Sequence, residues 1–380
     1  MTAEPKKIAV VSHASLLNGA PVSIAEITLE LLKKARQLEL HLGLPQPGRL
    51  LEAYSLKEAR PFFYAGGLLG SKIPLSSPRI ARRLKTLFRR KKIDLVLANT
   101  LESFRAVEAA SDLNIPSIWM IRELIPRYRK RRELEEIKKS AFYASRLIFN
   151  SRTSIKYLGL LGEDLERKSR VIYEGIKPPP AGVLEKNFRP ELGLSRQEVL
   201  VGSVGDICPQ KGYGTLLEAF PAVCRSFPRA KLLLIGRSPS RFREFRHRLD
   251  DAIDRSGIVE KVLFAGEQTN VFRWLNSLDL LVHPSWGESF GRVIIEALAL
   301  ERPVVAARSG GPEEIIEEGK TGLLVSPRDP GALSRAIDMA LGDIRAAKEM
   351  GRRGRIMVEK KFNLDRTVAE LSEEIDNLLP

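Results

Sequence analysis

Cysteine is nearly missing from this chain: Cys208 and Cys224 are the only two in 380 residues. Two thiols cannot build a disulfide framework, and with no CxxC pair or His/Cys cluster the sequence offers no zinc site. Long apolar runs are also missing. Stretches such as Lys231–Gly236 end after one strand, far short of the ~20 residues that span a bilayer. The N-terminus MTAEPKKIAVVS enters a strand directly, with no signal-peptide core. These absences predict a cytoplasmic location. No Asp-x-Asp pair falls in a plausible loop, so no metal–diphosphate clamp and no cofactor are expected. No paired carboxylates, nucleophile triad or Cys/His couple stands out, and His13 and His283 read as structural.

What is present fits a folded α/β protein. Hydrophobic residues make up 43% and charged residues 29%, near the globular average. The length suits two domains of roughly 180–200 residues. The net charge of +15 is unevenly spread: residues 1–180 hold 33 Lys and Arg against 18 Asp and Glu, and the rest hold 29 against 29. A one-sided basic field implies a polyanionic partner, either nucleic acid or an anionic membrane face. Within Arg79–Lys92, the apolar residues Ile80, Leu84, Leu87 and Phe88 share one helical face. Eight cations crowd the remainder: Arg79, Arg82, Arg83, Lys85, Arg89, Arg90, Lys91 and Lys92. A second cluster, Arg127–Arg132, holds Arg129, Lys130 and Arg131. These clusters lack the interleaved aromatics of base-stacking platforms, with Tyr128 alone in the second. The expected surface partner is therefore an anionic membrane rather than nucleic acid, and the expected place is peripheral, on the inner membrane face.

Short β-rich runs alternate with amphipathic helices along the whole chain, which predicts parallel α/β architecture. In the first half, strands are expected at Ile8–Ser12, Leu38–Leu42, Ile93–Ala98, Ser117–Ile121, Leu147–Asn150 and Arg170–Tyr173. In the second they are expected at Leu200–Val204, Lys231–Ile235, Val262–Ala265, Leu280–His283, Pro303–Ala306 and Gly322–Val325. Residues Leu44–Pro78, rich in Gly and Pro, read as variable loops. The run Lys177-Pro178-Pro179-Pro180-Ala181-Gly182 forbids helix and reads as a linker. The expected domains are 1–180 (acceptor-binding and basic), 181–362 (donor-binding) and a helix over 363–380 returning to the first. Ligands sit outside the carboxyl ends of parallel strands, so two such sheets facing each other would frame a cleft.

Three segments could carry chemistry. In Pro284-Ser285-Trp286-Gly287-Glu288-Ser289-Phe290-Gly291-Arg292, a strand runs into a helix opening at Phe290 or Gly291. Free N–H groups and the helix dipole make an anion site there, and Gly291 allows close approach. Glu296 lies about 7–8 Å further along the helix axis, the reach from a diphosphate to the ribose of the same nucleotide. Glu288 sits before the helix, where the sugar of such a donor would lie. The second segment, Val204-Gly205-Asp206-Ile207-Cys208-Pro209-Gln210-Lys211-Gly212, brings a lysine to a helix start. That is a poor place for a cation unless it meets a phosphate. The third, Ser309-Gly310-Gly311-Pro312-Glu313, leads to Gly319-Lys320-Thr321-Gly322-Leu323-Leu324-Val325.

In this order and spacing, the three segments resemble the donor domain of family 4 retaining glycosyltransferases of the GT-B fold. The hallmarks are the G-x(6)-K-G turn, the P-S-x-x-E-x-F-G-x(4)-E-A block and the G-G-x-x-E-x-I…G-x-T-G-L-L-V tail, over about Val199–Pro330. The first half resembles the family through Ile8–Ser12 followed by Asn18-Gly19-Ala20-Pro21. The resemblance implies two Rossmann-like domains facing a central cleft and a nucleotide-sugar donor of UDP or GDP type. It also implies transfer with retention to a glycan or lipid-linked acceptor in envelope polysaccharide synthesis. Lys211 and Glu288 would be catalytic, and Gly19, Gly205, Ser289, Phe290, Gly291 and Glu296 would bind donor. Two positions depart from the pattern. Asp206 stands where the family usually has Arg after the glycine, and Arg122 stands where a donor-contacting His is common. Asp206 is therefore expected to point away and cap the Ile207–Gly212 turn, with Arg292 supplying the missing cation. A nucleic-acid or soluble acceptor, or a non-catalytic glycosyltransferase-like binding partner, are the alternatives.

Overall fold

The computed structural model of the chain describes residues 4–16, 19–34, 37–54, 58–65, 74–124, 131–156, 163–185, 187–195 and 197–379. It divides into two compact units, Met1–Gly175 with Leu364–Pro380, and Ile176–Asn363.

The first unit holds a parallel sheet of β1 (Lys6–Ser12), β2 (Leu38–Leu44), β3 (Ala59–Phe63), β4 (Leu95–Asn99), β5 (Ser117–Ile121), β6 (Arg146–Phe149) and β7 (Ser169–Val171). Their spatial order is β3-β2-β1-β4-β5-β6-β7. Its helices are α1 (Gly19–Lys34), α2 (Pro78–Lys91), α3 (Phe104–Ser111), α4 (Arg131–Tyr143) and α5 (Arg152–Lys156). Every residue of β4 and β5 is buried, as a parallel sheet covered on both faces requires. One core contains Ile80, Leu84 and Phe88 of α2, Phe104 and Val107 of α3, and Ile137 and Ala141 of α4. The other contains Ile24, Ile27 and Leu31 of α1. Strand β3 lies within the stretch read as loops. It contains Pro61, tolerated because among the described residues β3 is an edge strand paired to β2 alone.

The second unit's sheet runs β8 (Val199–Val204), β9 (Ala230–Ile235), β10 (Val262–Gly266), β11 (Leu280–His283), β12 (Val304–Ala307) and β13 (Leu323–Val325), in the order β10-β9-β8-β11-β12-β13. Its helices are α6 (Tyr213–Ser226), α7 (Arg243–Arg255), α8 (Val271–Asn276), α9 (Arg292–Ala299), α10 (Gly311–Ile315), α11 (Pro330–Gly342) and α12 (Ile344–Lys361). The strand order reverses between β8 and β11, so the loops leaving their carboxyl ends rise side by side at the topological switch point.

The last helix, α13 (Leu364–Asp376), belongs to the first unit. Leu364, Val368, Leu371 and Ile375 share the core of Ile24, Ile27 and Leu31. Around that stripe, Lys34 pairs with Asp365 at 2.6 Å and Arg146 with Glu374 at 2.8 Å. Among the described residues no helix is long and apolar enough to cross a membrane. Both units are the α/β, Rossmann-like sheets expected of a GT-B chain.

Candidate functional site

Glycines set the approach of three loops in the second unit. Gly205 leaves β8 with φ 150°, donating its N–H to the Ile235 carbonyl at 2.9 Å. Gly236, at φ 154°, closes β9 so tightly on it that a Cβ there would lie 1.8 Å from the Gly205 carbonyl oxygen. The single turn Pro209–Lys211 follows, ended by Gly212 at φ 71°. A Cβ on Gly212 would sit 1.9 Å from the Pro284 carbonyl oxygen, so only glycine lets this turn touch the loop after β11. There the Trp286 N–H and the Ser285 hydroxyl donate to the Gln210 carbonyl, at 2.8 and 3.2 Å. The third loop closes from the other side. Glu288 N–H donates to Ser309 at 3.0 Å, and Gly311 N–H to Glu288 at 2.8 Å. A Cβ on Gly311 would meet the Phe290 backbone at 2.3 Å. Phe290 itself is 1% exposed and packs edge-on against Phe362 at 5.5 Å. Its side chain is an anchor, leaving only its backbone to the loop surface. Gly291, in the left-handed region at φ 101°, caps α9, and Ser289 is half-buried between Glu288 and Phe290.

This clamping brings Lys211 and Glu288 together: the ammonium lies 2.6 Å from Glu288 Oε2. His283 Nε2 lies 3.0 Å from the same oxygen, and the Ser285 hydroxyl donates to it at 3.4 Å. Burial works against charge on Glu288, yet Lys211 and His283 outweigh it and hold the carboxyl far below its ordinary range. Burial also works against charge on Lys211, and Glu288 more than offsets it. On His283 burial prevails over the pull of Glu288, and its pKa is lowered. The cluster is thus a carboxylate–ammonium pair with a neutral imidazole.

One turn into α9, Arg292 Nε donates to Glu296 Oε1 at 2.8 Å, both side chains under 20% exposed. The expected extra cation is therefore engaged by the expected ribose ligand. Asp206 also differs from expectation. Rather than capping the turn, it accepts a two-pronged bond from Arg237, Nε at 3.2 Å and Nη2 at 2.6 Å. The turn's own Ile207 N–H goes to the Arg237 carbonyl at 2.7 Å, so the carboxylate is not needed there. Asp206 in turn raises the Arg237 pKa through that hydrogen bond. Arg237 and His283 went unread in the sequence as site residues. Their one signal was position, at or just after the carboxyl ends of β9 and β11.

Two further candidates lie in the first unit. Gly19 opens α1 with φ 36°, and among the described residues nothing lies within 4 Å of where a Cβ would stand. Arg122, just past β5, is 6% exposed. Its guanidinium donates to the Ser23 hydroxyl at 2.6 Å and pairs with Glu174 at 3.2 Å, while Asn150 donates to the same Glu174 oxygen at 3.0 Å. Beside them Thr100 holds φ 75°, ψ 164°, a conformation that strains a non-glycine residue. The Trp119 indole N–H on its carbonyl (2.7 Å) and His13 Nδ1 at its hydroxyl (2.9 Å) fix it. On α2, Arg82, Arg89 and Arg90 are exposed, and Arg83 and Lys85 are half-buried. Lys85 is held by Asp112 at 2.8 Å. Arg129 and Lys130 lie outside the described residues, as does the side chain of Arg131.

Residues 198–343 match the family model described as Glycosyl transferases group 1. An uncharacterised glycosyltransferase of Methanocaldococcus jannaschii is 31% identical over 212 residues, covering 54% of this chain and 53% of that protein. The lipopolysaccharide core biosynthesis mannosyltransferase LpsB of Rhizobium meliloti is 27% identical over 209 residues, covering 52% and 60%. The matches thus span about half the length of these relatives. The crystal structure of Anabaena HepE in complex with UDP-glucose superposes with a TM-score of 0.86 at 21% identity, over 98% of this chain and 99% of that one. At that identity the likeness is one of fold.

Proposed function

We propose that this chain, with its group 1 glycosyl transferase domain, moves a sugar from a nucleotide-diphosphate donor of UDP or GDP type to a lipid-linked or cell-envelope glycan acceptor. The reading is carried by Lys211 and Glu288 meeting at 2.6 Å beside the start of α9, with Glu296 one turn inside it. Lys211 and the first-turn N–H groups of α9 take the charge that develops on the leaving diphosphate, a preorganised electrostatic role. Glu288 accepts from hydroxyls of the donor sugar, and Glu296 accepts from the ribose. These parts need no divalent ion, and the sugar is transferred with retention. The exposed arginines of α2 rest on the anionic inner membrane face, where such an acceptor would be anchored. LpsB, named for lipopolysaccharide core biosynthesis, is in keeping with an envelope acceptor.

A thermal-shift screen of UDP and GDP sugars tests the donor half. A ligand at 100 times its dissociation constant adds about 2.7 kcal/mol of stability, so a cognate donor raises Tm by several degrees. Transfer to a lipid-linked glycan, assayed with and without EDTA, tests the rest. A flat screen sinks the reading, and strict dependence on a divalent ion sinks its metal-free chemistry.

A further inference from the structure

Among the described residues, the three side chains that engage Glu288 do so through one oxygen. Lys211, His283 and Ser285 converge on Oε2 at 2.6, 3.0 and 3.4 Å. Oε1 accepts none of these bonds, and the carboxylate is 13% exposed. Of the three partners, Lys211 is the least fixed, since it comes from a turn on another loop and is 30% exposed. Once a diphosphate binds, it competes with Glu288 for that ammonium. His283 is different. It is the last residue of β11, 2% exposed, with its backbone in register beside Ala306 of β12. Its ring cannot follow a ligand, and it is paired to a carboxylate only five residues ahead in the same loop.

We infer that His283 is a positioning residue for Glu288. Its Nε2–H pins Oε2 to the end of β11 and turns Oε1 outward as the acceptor for a hydroxyl of the donor sugar. The inference rests on the transferase reading above and adds a sugar-orienting residue to it. It assigns the imidazole one tautomer: with Glu288 ionised, the proton sits on Nε2, because an acceptor nitrogen there would face the carboxylate lone pairs. It also separates two functions within the cluster, with Lys211 serving the diphosphate and His283, through Glu288, serving the sugar.

The decisive comparison is between His283→Gln, which keeps an amide N–H near the Nε2 position, and His283→Phe, which keeps a ring without a donor. Each full-length variant is titrated by calorimetry with UDP and GDP, and with UDP-glucose, UDP-N-acetylglucosamine and GDP-mannose. The wild-type chain should bind its cognate nucleotide sugar more tightly than the bare diphosphate. His283→Phe should erase most of that difference, weakening the nucleotide sugar roughly 10-fold or more while leaving the diphosphate within a factor of two or three. His283→Gln should restore it. Near-equal losses for sugar and diphosphate in His283→Phe mean disrupted packing and overturn the inference, as does a His283→Phe variant that binds both like wild type. Failure of His283→Gln to rescue overturns it too. A wild-type chain that binds no probe brings down the transferase reading itself, which is a separate result from any difference among the variants.

Discussion

Lys211 and Glu288 stand 77 residues apart in the chain and meet at 2.6 Å. Neither lies on a regular element that could hold it there alone. The turn carrying Lys211 leaves β8, and the loop carrying Glu288 leaves β11. The contact exists because those strands are neighbours where the sheet order reverses and because Gly212 lets the two loops touch. The ion pair is a direct product of sheet topology.

Lys211→Ala should lower turnover about 10²–10³-fold, the usual effect of removing one preorganised charge contact. Glu288 keeps His283 and Ser285 as donors, so Tm should fall by only a few degrees. Steady-state kinetics beside a thermal melt checks both. Near-normal turnover would remove Lys211 from the chemistry.

Glu296→Ala should weaken donor binding about 10–100-fold, as expected for losing hydrogen bonds to a charged acceptor. Arg292 Nε donates to Glu296 Oε1 at 2.8 Å. Arg292→Ala should therefore produce a smaller loss of the same kind, and the double variant should be no worse than Glu296→Ala. Additive losses would give Arg292 a ligand contact of its own.

Asp206→Asn should be nearly neutral for turnover, because its carboxylate is committed to Arg237. Both side chains are about one-third exposed, so screening limits the pair to about 1 kcal/mol of coupling in a double-mutant cycle on stability. A large loss of turnover in Asp206→Asn alone would bring the residue into the chemistry.

Neutralising Arg82, Arg83, Arg89 and Arg90 to Gln should nearly abolish binding to anionic vesicles at low salt, each cation contributing on the order of 1 kcal/mol near such a surface. Salt should act the same way on the wild type, shrinking the Debye length from about 10 Å at 0.1 M to about 3 Å at 1 M. Flotation assays with phosphatidylserine vesicles read this directly. Salt-insensitive binding would disprove the electrostatic account.

His13, His41 and His283 all have lowered pKa values, burial being the largest cause in each. For a group depressed in the fold, the unfolded chain binds protons first. Stability is therefore full above the unfolded value of about 6.5, and it falls as pH drops toward the folded values. Each histidine contributes a slope of at most about 1.4 kcal/mol per pH unit. Tm should drop between pH 7 and pH 5, and His283→Gln should flatten part of that drop. An unchanged slope in the variant would mean that His283 takes up protons as freely in the fold as outside it.

The parallel strands were legible because they are short apolar runs between turn residues, and Ser117–Ile121 and Leu280–His283 match β5 and β11 residue for residue. Strand β3, with sequence ARPFF, was not: its Pro61 argues against a strand unless its edge position is known. Helices α8 and α10, of six and five residues, are too short to show a 3.6-residue period. In the site, Lys211, Glu288 and Glu296 could be picked out because they flank glycines and a helix start. The Asp206–Arg237 fork could not, since it joins residues 31 apart through strand pairing that no local pattern encodes. Asp206 looked like a turn cap because the one cation near it in sequence, Lys211, was already assigned to a phosphate.

The placement of α13 has a consequence for how the chain is made. A ribosome delivers residues 6–171, with all seven strands of the first sheet, before any of the second unit emerges. Yet Leu364, Val368, Leu371 and Ile375 complete the apolar layer over α1. Until synthesis passes residue 376, Ile24, Ile27 and Leu31 lack part of their cover. Domains often fold in the order they are synthesised. Here the second unit, contiguous from Ile176 to Asn363, holds all its parts while the first still waits for its last helix, and the nascent chain carries an open apolar strip throughout elongation. That strip is the surface a chaperone would meet.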